Sequence, residues 1–214
     1  MGLDGVVMSW TAVIPVKRLD TAKSRLGPND DPRRPELALA FALDVIDACL
    51  SSASVSAVIV VTDDDEVIAR ASQATICPEP ASGGLNGAIR AGAALVHGPV
   101  MALAGDLPAV TPAALDYVTR LAAEHERSLL SDTQGSGTAI LLARDAGALD
   151  PRFGVGSRAA HVASGGCDLA LDSAGPIRAL LAGARRDVDT PADLWDALRL
   201  GVGAHTTALL ARQS

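Results

Sequence analysis

An α/β fold, with one mostly parallel sheet flanked by helices, follows from three features of the sequence. Short apolar, β-branched runs alternate with longer Ala- and Leu-rich segments, the rhythm of strand–helix–strand units. Residues 57–62 are almost continuously apolar, as a strand covered on both faces must be. Thr111-Pro112 and Thr190-Pro191-Ala192-Asp193 each place a capping hydroxyl before a proline, which marks a helix start. No repeat, low-complexity stretch or linker interrupts the 214 residues, so one domain spanning 1–214 is expected, with 1–9 as a weakly ordered extension.

The elements follow in order. Residues 11–16 form the first strand, and 20–34 are a polar loop with Pro28 and Pro32. Pro35 suits the first turn of a helix running to about Leu50. Residues 57–62 are the second strand, 64–72 a short helix and 74–77 a brief strand. A Gly/Pro/Ser-rich loop, 78–85, leads to Asn86 and a helix over 87–96. Residues 99–104 are a strand ending at Gly105-Asp106. Thr111 then caps a helix, and two strands, 128–131 and 138–143, flank a turn at 133–137. A glycine-containing loop, 151–156, enters a short helix at Ser157. Residues 185–188 read as a last strand before a helix over 192–200.

The bulk composition excludes several classes. Aromatic residues make up only 2%, so the core is aliphatic and no stacking platform for single-stranded nucleic acid is available. A net charge of −7 argues against nucleic-acid or anionic-membrane partners. The longest apolar stretch, 37–50, is broken by Asp44 and Asp47, and no run approaches a membrane span. Cys49, Cys77 and Cys167 are far apart, with no C-x-x-C, which fits free thiols in a reducing cytoplasm. No secretory signal is visible, and a cytoplasmic location is expected.

Against this acidic background, Lys17, Arg18, Lys23 and Arg25 follow directly on the first strand. Ligands of open parallel sheets bind at carboxyl ends of strands, so this cationic loop is a candidate phosphate site; the bland alternative is a solvated surface loop. Generic phosphate motifs are missing: there is no G-x-x-x-x-G-K-[ST], and Gly135-Ser136-Gly137 lacks the third glycine and the following helix of a dinucleotide fingerprint. At the other end of the argument stand carboxylates. Asp106 closes a strand in Gly105-Asp106-Leu107-Pro108, and Asp187 and Asp189 are two apart, so an extended backbone aims both to one side. Such hard oxygen donors suit Mg²⁺ together with phosphate oxygens, although one of the pair could serve Arg185 or Arg186, or the turn before Thr190. Glycine-rich turns at 135–138 and 152–158 could close backbone amides on a second anion, or be ordinary turns. The four histidines show no metal-ligand spacing; His161, one turn after Ser157, alone is placed to line a site.

In combination these residues resemble the 2-phospho-L-lactate/phosphoenolpyruvate guanylyltransferase family (CofC/FbiD). The likeness rests on Val16-Lys17-Arg18-Leu19 with Lys23-Ser24-Arg25-Leu26, on Leu85-Asn86-Gly87-Ala88-Ile89, and on Gly105-Asp106-Leu107-Pro108. It continues in Gly137-Thr138-Ala139, Arg152-Phe153-Gly154 with Ser157, and Asp187-Val188-Asp189-Thr190-Pro191-Ala192-Asp193-Leu194. The resemblance implies a Rossmann-like nucleotidyltransferase fold and transfer of GMP from GTP to phosphoenolpyruvate or 2-phospho-L-lactate, with release of pyrophosphate, in coenzyme F420 biosynthesis. It implies acceptor-phosphate contacts at Thr138, Gly154 and Ser157, and Mg²⁺ ligation by Asp106, Asp187 and Asp189. Lys17, Arg18, Lys23 and Arg25 would face the nucleotide phosphates, Asn86 the base or ribose, and the product would pass to the next transferase of the pathway. Two alternatives stay open: a nucleotidyltransferase for a sugar phosphate or molybdopterin, and a nucleotide-binding module without turnover. The loop 28–34 and the segment 171–183 fall outside the resemblance.

Overall fold

The computed structural model describes residues 8–20, 22, 26, 33–171 and 174–213. A seven-stranded sheet organises them. Its strands are β1 (Trp10–Pro15), β2 (Val55–Val61), β3 (Thr75–Cys77), β4 (Val100–Leu103), β5 (Arg127–Ser131), β6 (Thr138–Ala143) and β7 (Cys167–Asp168). The order across the sheet is β3-β2-β1-β4-β6-β5-β7. The neighbours of β1 are parallel to it, while β6 runs antiparallel to both β4 and β5. The expected mostly parallel sheet is therefore present, with one reversed strand near its centre.

Period-2 alternation distributes the side chains. From β1, Ala12 and Ile14 enter one core layer and Val13 the opposite one. From β4, Met101 and Leu103 go one way, Val100 and Ala102 the other. The first layer is covered by α1 (Arg33–Leu50) and α4 (Pro112–Ala122), the second by α3 (Gly84–Ala93). The short α2 (Asp65–Arg70) is capped by Asp64, whose carboxylate accepts the Glu66 and Val67 amides. The same carboxylate accepts the Leu19 amide at 2.9 Å and so anchors the start of the loop after β1.

The C-terminal third departs from expectation. The strand expected at 185–188 is absent: a single 3₁₀ turn, Gly183–Arg185, is followed by chain outside any ladder. Two contacts explain this. Gly183 lies so close to the carbonyl of Ala109 that no side chain fits there, and the Arg185 guanidinium donates to the carbonyls of Ser131 and Asp132 at 2.8 and 2.7 Å. The backbone is thus held by a glycine contact and by one arginine, and the sheet edge is closed instead by β7. Helices α5 (Ser157–Ala163), α6 (Gly175–Leu181), α7 (Pro191–Leu200) and α8 (Ala204–Gln213) complete the chain. The capping box at Thr190 and Asp193 forms as the sequence predicts.

Helix α8 was not expected. Its amino end is capped from far away: Asp44, in the middle of α1, accepts the His205 and Thr206 amides at 2.8 and 3.1 Å. The aspartate that interrupts the apolar run 37–50 is buried for this purpose. A third apolar cluster joins Leu37 and Phe41 of α1 to Ala197 of α7, Leu209 of α8, Ala109 and Val188. Among the described residues no helix is long and apolar enough to cross a membrane.

Candidate active site

The carboxyl ends of β1 and β4 point to the same edge of the sheet, and a cleft of about 380 Å³ opens there. Its walls include Val16, Lys17 and Leu19 after β1, Gly105 and Asp106 after β4, and Leu85 and Ala88 of α3. Asp189 closes it from the C-terminal region. Lys17 therefore shares one cavity with Asp106 and Asp189, about ninety and one hundred and seventy positions later in sequence, and Glu79 also stands on its wall.

Asp106 and Asp189 meet because the chain around Val188 is pinned. Its amide donates to the carbonyl of Asp106 at 3.0 Å, and its side chain is fully buried in the cluster with Phe41 and Leu209. Burying a valine side chain is worth roughly 1.5–3 kcal/mol, enough to hold a short segment without a ladder. Asp187 and Asp189 flank that anchor. Burial, then the neighbouring charge of Asp106, push the Asp187 carboxyl up to about 6, with Asp189 and Asp132 adding to the repulsion.

Hard oxygen donors crowded until they repel fit a divalent cation. Among the described residues no three His, Cys, Asp or Glu side chains form a ready-made cage. An ion here would complete its shell with substrate oxygens, as Mg²⁺ does when it binds through one or two carboxylates.

The other sequence-predicted residues divide. Arg18 does not line the cleft; it pairs with Asp20 at 3.6 Å on the exposed side of the loop. Lys23 and Arg25 lie outside the described residues, as does most of the loop 28–34.

Thr138, Gly154 and Ser157 do not border the 380 Å³ cleft. They are brought to one another by a separate network. Thr138 begins β6, and its Oγ1 lies 2.9 Å from Nδ1 of His161. His161 Nε2 accepts the Arg152 amide at 2.9 Å. The loop between Phe153 and Ser157 turns on Gly154 and Gly156, whose φ angles of 138° and 70° disfavour any residue with a side chain. Ser157, buried, then starts α5, with its amide on the Gly154 carbonyl.

Asn86, expected at the base or ribose, is engaged through its side-chain amide by the glycine loop. Its Nδ2 donates to the Phe153 carbonyl at 2.9 Å, and its Oδ1 accepts the Phe153 amide at 2.7 Å. The side chain thus clamps the glycine loop's backbone, and its position next to Leu85 joins that loop to the wall of the cleft.

A second cavity, of about 730 Å³, is lined by Arg158, Arg178, Arg185, Arg186 and Arg199. Three of these guanidinium groups hold structure. Arg158 pairs with buried Asp168, Arg185 bonds to the carbonyls already named, and Arg186 reaches Asp193 and Asp196 of α7.

Sequence reasoning missed Asp132 altogether and, for Asn86 and His161, the contacts they make. Asp132 accepts the Ser136 and Gly137 amides and shapes the turn before Thr138; an Asp three residues before the first glycine of a short turn is the signal that could have found it. The Phe153 clamp by Asn86 spans 67 positions and the His161 contact with Thr138 spans 23, and nothing local announces either.

Comparison with known proteins gives a consistent picture. A family profile described as "Guanylyl transferase CofC like" matches residues 10–212. A phosphoenolpyruvate guanylyltransferase of Streptomyces coelicolor is 45% identical over 214 residues, covering 96% of this chain and 97% of that protein. One from Thermomonospora curvata is 42% identical, covering 96% and 90%. Among solved structures, a protein of Desulfovibrio desulfuricans assigned as a nucleotide-diphospho-sugar transferase superposes with a TM-score of 0.69 at 15% identity, covering 96% and 95%. A nucleotidyl transferase from Methanothermobacter gives 0.62 at 20%, covering 89% and 98%. A Mycobacterium tuberculosis protein in complex with manganese gives 0.56 at 22%, covering 90% and 98%. At those identities the solved structures speak to the fold alone.

Proposed function

The chain belongs to the family of CofC-like guanylyl transferases, and on that premise we propose that it transfers GMP from GTP to the phosphate of phosphoenolpyruvate, releasing pyrophosphate, within coenzyme F420 biosynthesis. The observation that carries this reading is the convergence of Lys17, Asp106 and Asp189 in one cleft at the carboxyl edge of the sheet, with Asp187 beside them. The names of the Streptomyces and Thermomonospora relatives favour phosphoenolpyruvate over 2-phospho-L-lactate as acceptor.

The cleft receives GTP, and Lys17 neutralises its phosphates, helped by Lys23 and Arg25. Thr138, Gly154 and Ser157 hold the acceptor phosphate. An oxygen of that phosphate forms a new bond to the α-phosphorus while the bond from the α-phosphorus to the bridging oxygen of the pyrophosphate breaks, in line. The attacking phosphate is already ionised near neutral pH, so no side chain has to remove a proton. Catalysis is then orientation and charge neutralisation by fixed groups. Asp106 with Asp187 or Asp189 would hold a divalent ion, Mg²⁺ in our reading, which supplies positive charge to the reacting phosphates when bound. The reaction is placed in the cytoplasm, with the product handed to the next transferase.

Pyrophosphate release from GTP and Mg²⁺ is the test, with phosphoenolpyruvate, 2-phospho-L-lactate, a sugar phosphate or no acceptor. Release only with phosphoenolpyruvate is expected. Binding of GTP with no acceptor-dependent release would replace the enzyme by a nucleotide-binding module.

A further inference from the structure

We propose that His161 is a positioning residue for the acceptor phosphate, acting through Thr138: its Nδ1–H holds the Thr138 hydroxyl oxygen so that the hydroxyl proton is turned toward the incoming phosphate. The inference rests on the reading above in which Thr138 contacts that phosphate.

Hydrogen-bond polarity fixes the tautomer. A backbone amide can only donate, and the Arg152 amide lies 2.9 Å from His161 Nε2, so Nε2 carries no proton. The ring is neutral: burial, then the positive charge of Arg127, hold it down to about 4, and Asp150 opposes while Arg152 adds to this. The single ring proton therefore sits on Nδ1, 2.9 Å from Thr138 Oγ1, and the bond runs from His161 to Thr138. The hydroxyl oxygen has become an acceptor for the ring, and its own hydrogen is free for another partner. In the opposite tautomer Thr138 would spend its hydrogen on Nδ1 and could offer an anion only lone pairs.

His161 is fully buried, so it does not touch the reacting atoms directly. The Phe153 ring packs edge-on against it, with centroids 5.2 Å apart and planes at 74°. The imidazole thus locks three things at once: the Thr138 hydroxyl, the Arg152 amide and the Phe153 ring that precedes Gly154. With Asn86 clamping the Phe153 backbone from the other side, the loop that receives the phosphate is set before substrate arrives.

The test is a double-mutant cycle with phosphoenolpyruvate and GTP varied separately, using Thr138→Val, His161→Phe, His161→Asn and the Thr138→Val/His161→Phe pair. His161→Phe should raise KM for phosphoenolpyruvate about tenfold, the scale of one hydrogen bond to a charged group, with KM for GTP within about twofold. His161→Asn, whose amide nitrogen can replace Nδ1 as donor, should recover most of that loss. The pair should be no worse than Thr138→Val alone. A purely structural histidine would instead shift both substrates together, or add its effect to that of Thr138→Val, and either result overturns the inference. An unchanged KM for phosphoenolpyruvate in Thr138→Val would overturn the acceptor-pocket reading itself. Should the Phe variant not fold, the imidazole ¹⁵N shifts of the unmodified protein decide: an Nδ1–H tautomer is expected, and an Nε2–H tautomer refutes the proposal.

Discussion

Replacing Asp187 by asparagine should make the metal-free protein more stable. Folding raises the Asp187 carboxyl from its ordinary 3.8 to about 6. The native state therefore holds this proton more tightly than the unfolded chain does, and ionisation opposes folding. The resulting penalty is absent below about pH 4, grows through the interval up to about 6, and is complete above it. A shift of that size corresponds at most to about 3 kcal/mol, and the side chain is partly exposed, so roughly 1–2 kcal/mol is the expected gain. For a chain of this length that is about 2–8 °C in Tm. Wild type and Asp187→Asn would be melted in a chelator at about pH 7.5 and about pH 4.5. The variant should win at the higher pH, the gap should shrink at the lower one, and saturating Mg²⁺ should narrow it by stabilising wild type more. Equal or lower stability of the variant in chelator at the higher pH would refute the picture of crowded carboxylates.

Other expectations concern separate parts of the molecule. Asp106→Asn should lower kcat by on the order of 10³-fold in the pyrophosphate assay, since a metal carboxylate is lost without a change of shape. Lys17→Ala should raise KM for GTP about tenfold or more, whereas Arg18→Ala should change it less than about twofold, because Arg18 faces away. Asn86→Ala should raise KM for the acceptor and leave GTP binding, measured by calorimetry, nearly unchanged; a loss confined to GTP would restore the base-reading role. Gly183→Ala should cost about 1–3 kcal/mol or more in urea titration, because the added methyl group strikes the Ala109 carbonyl.

Local signals carried the strands that build the cleft. The apolar runs at 11–16 and 99–104 each end in the residues that face the cavity, and the Thr190 capping box is contained in four consecutive positions. Legibility failed where the determinant lies far along the chain. Val188 reads as strand because it is apolar and buried, yet one bond to Asp106 and a cluster of distant side chains hold it. Helix α8 lacks a cap of its own since Asp44, about 160 residues earlier, supplies it. Asn86 could not be assigned because an amide suits a base and a peptide group equally well; only the partner 67 residues away decides.

The burial of Val188 against Phe41 and Leu209 ties the acidic wall to a helix that lends no side chain to the cleft. A lesion at Leu209 would therefore be felt by Asp187 and Asp189 through their shared neighbour, although no atom of the cavity itself had been altered.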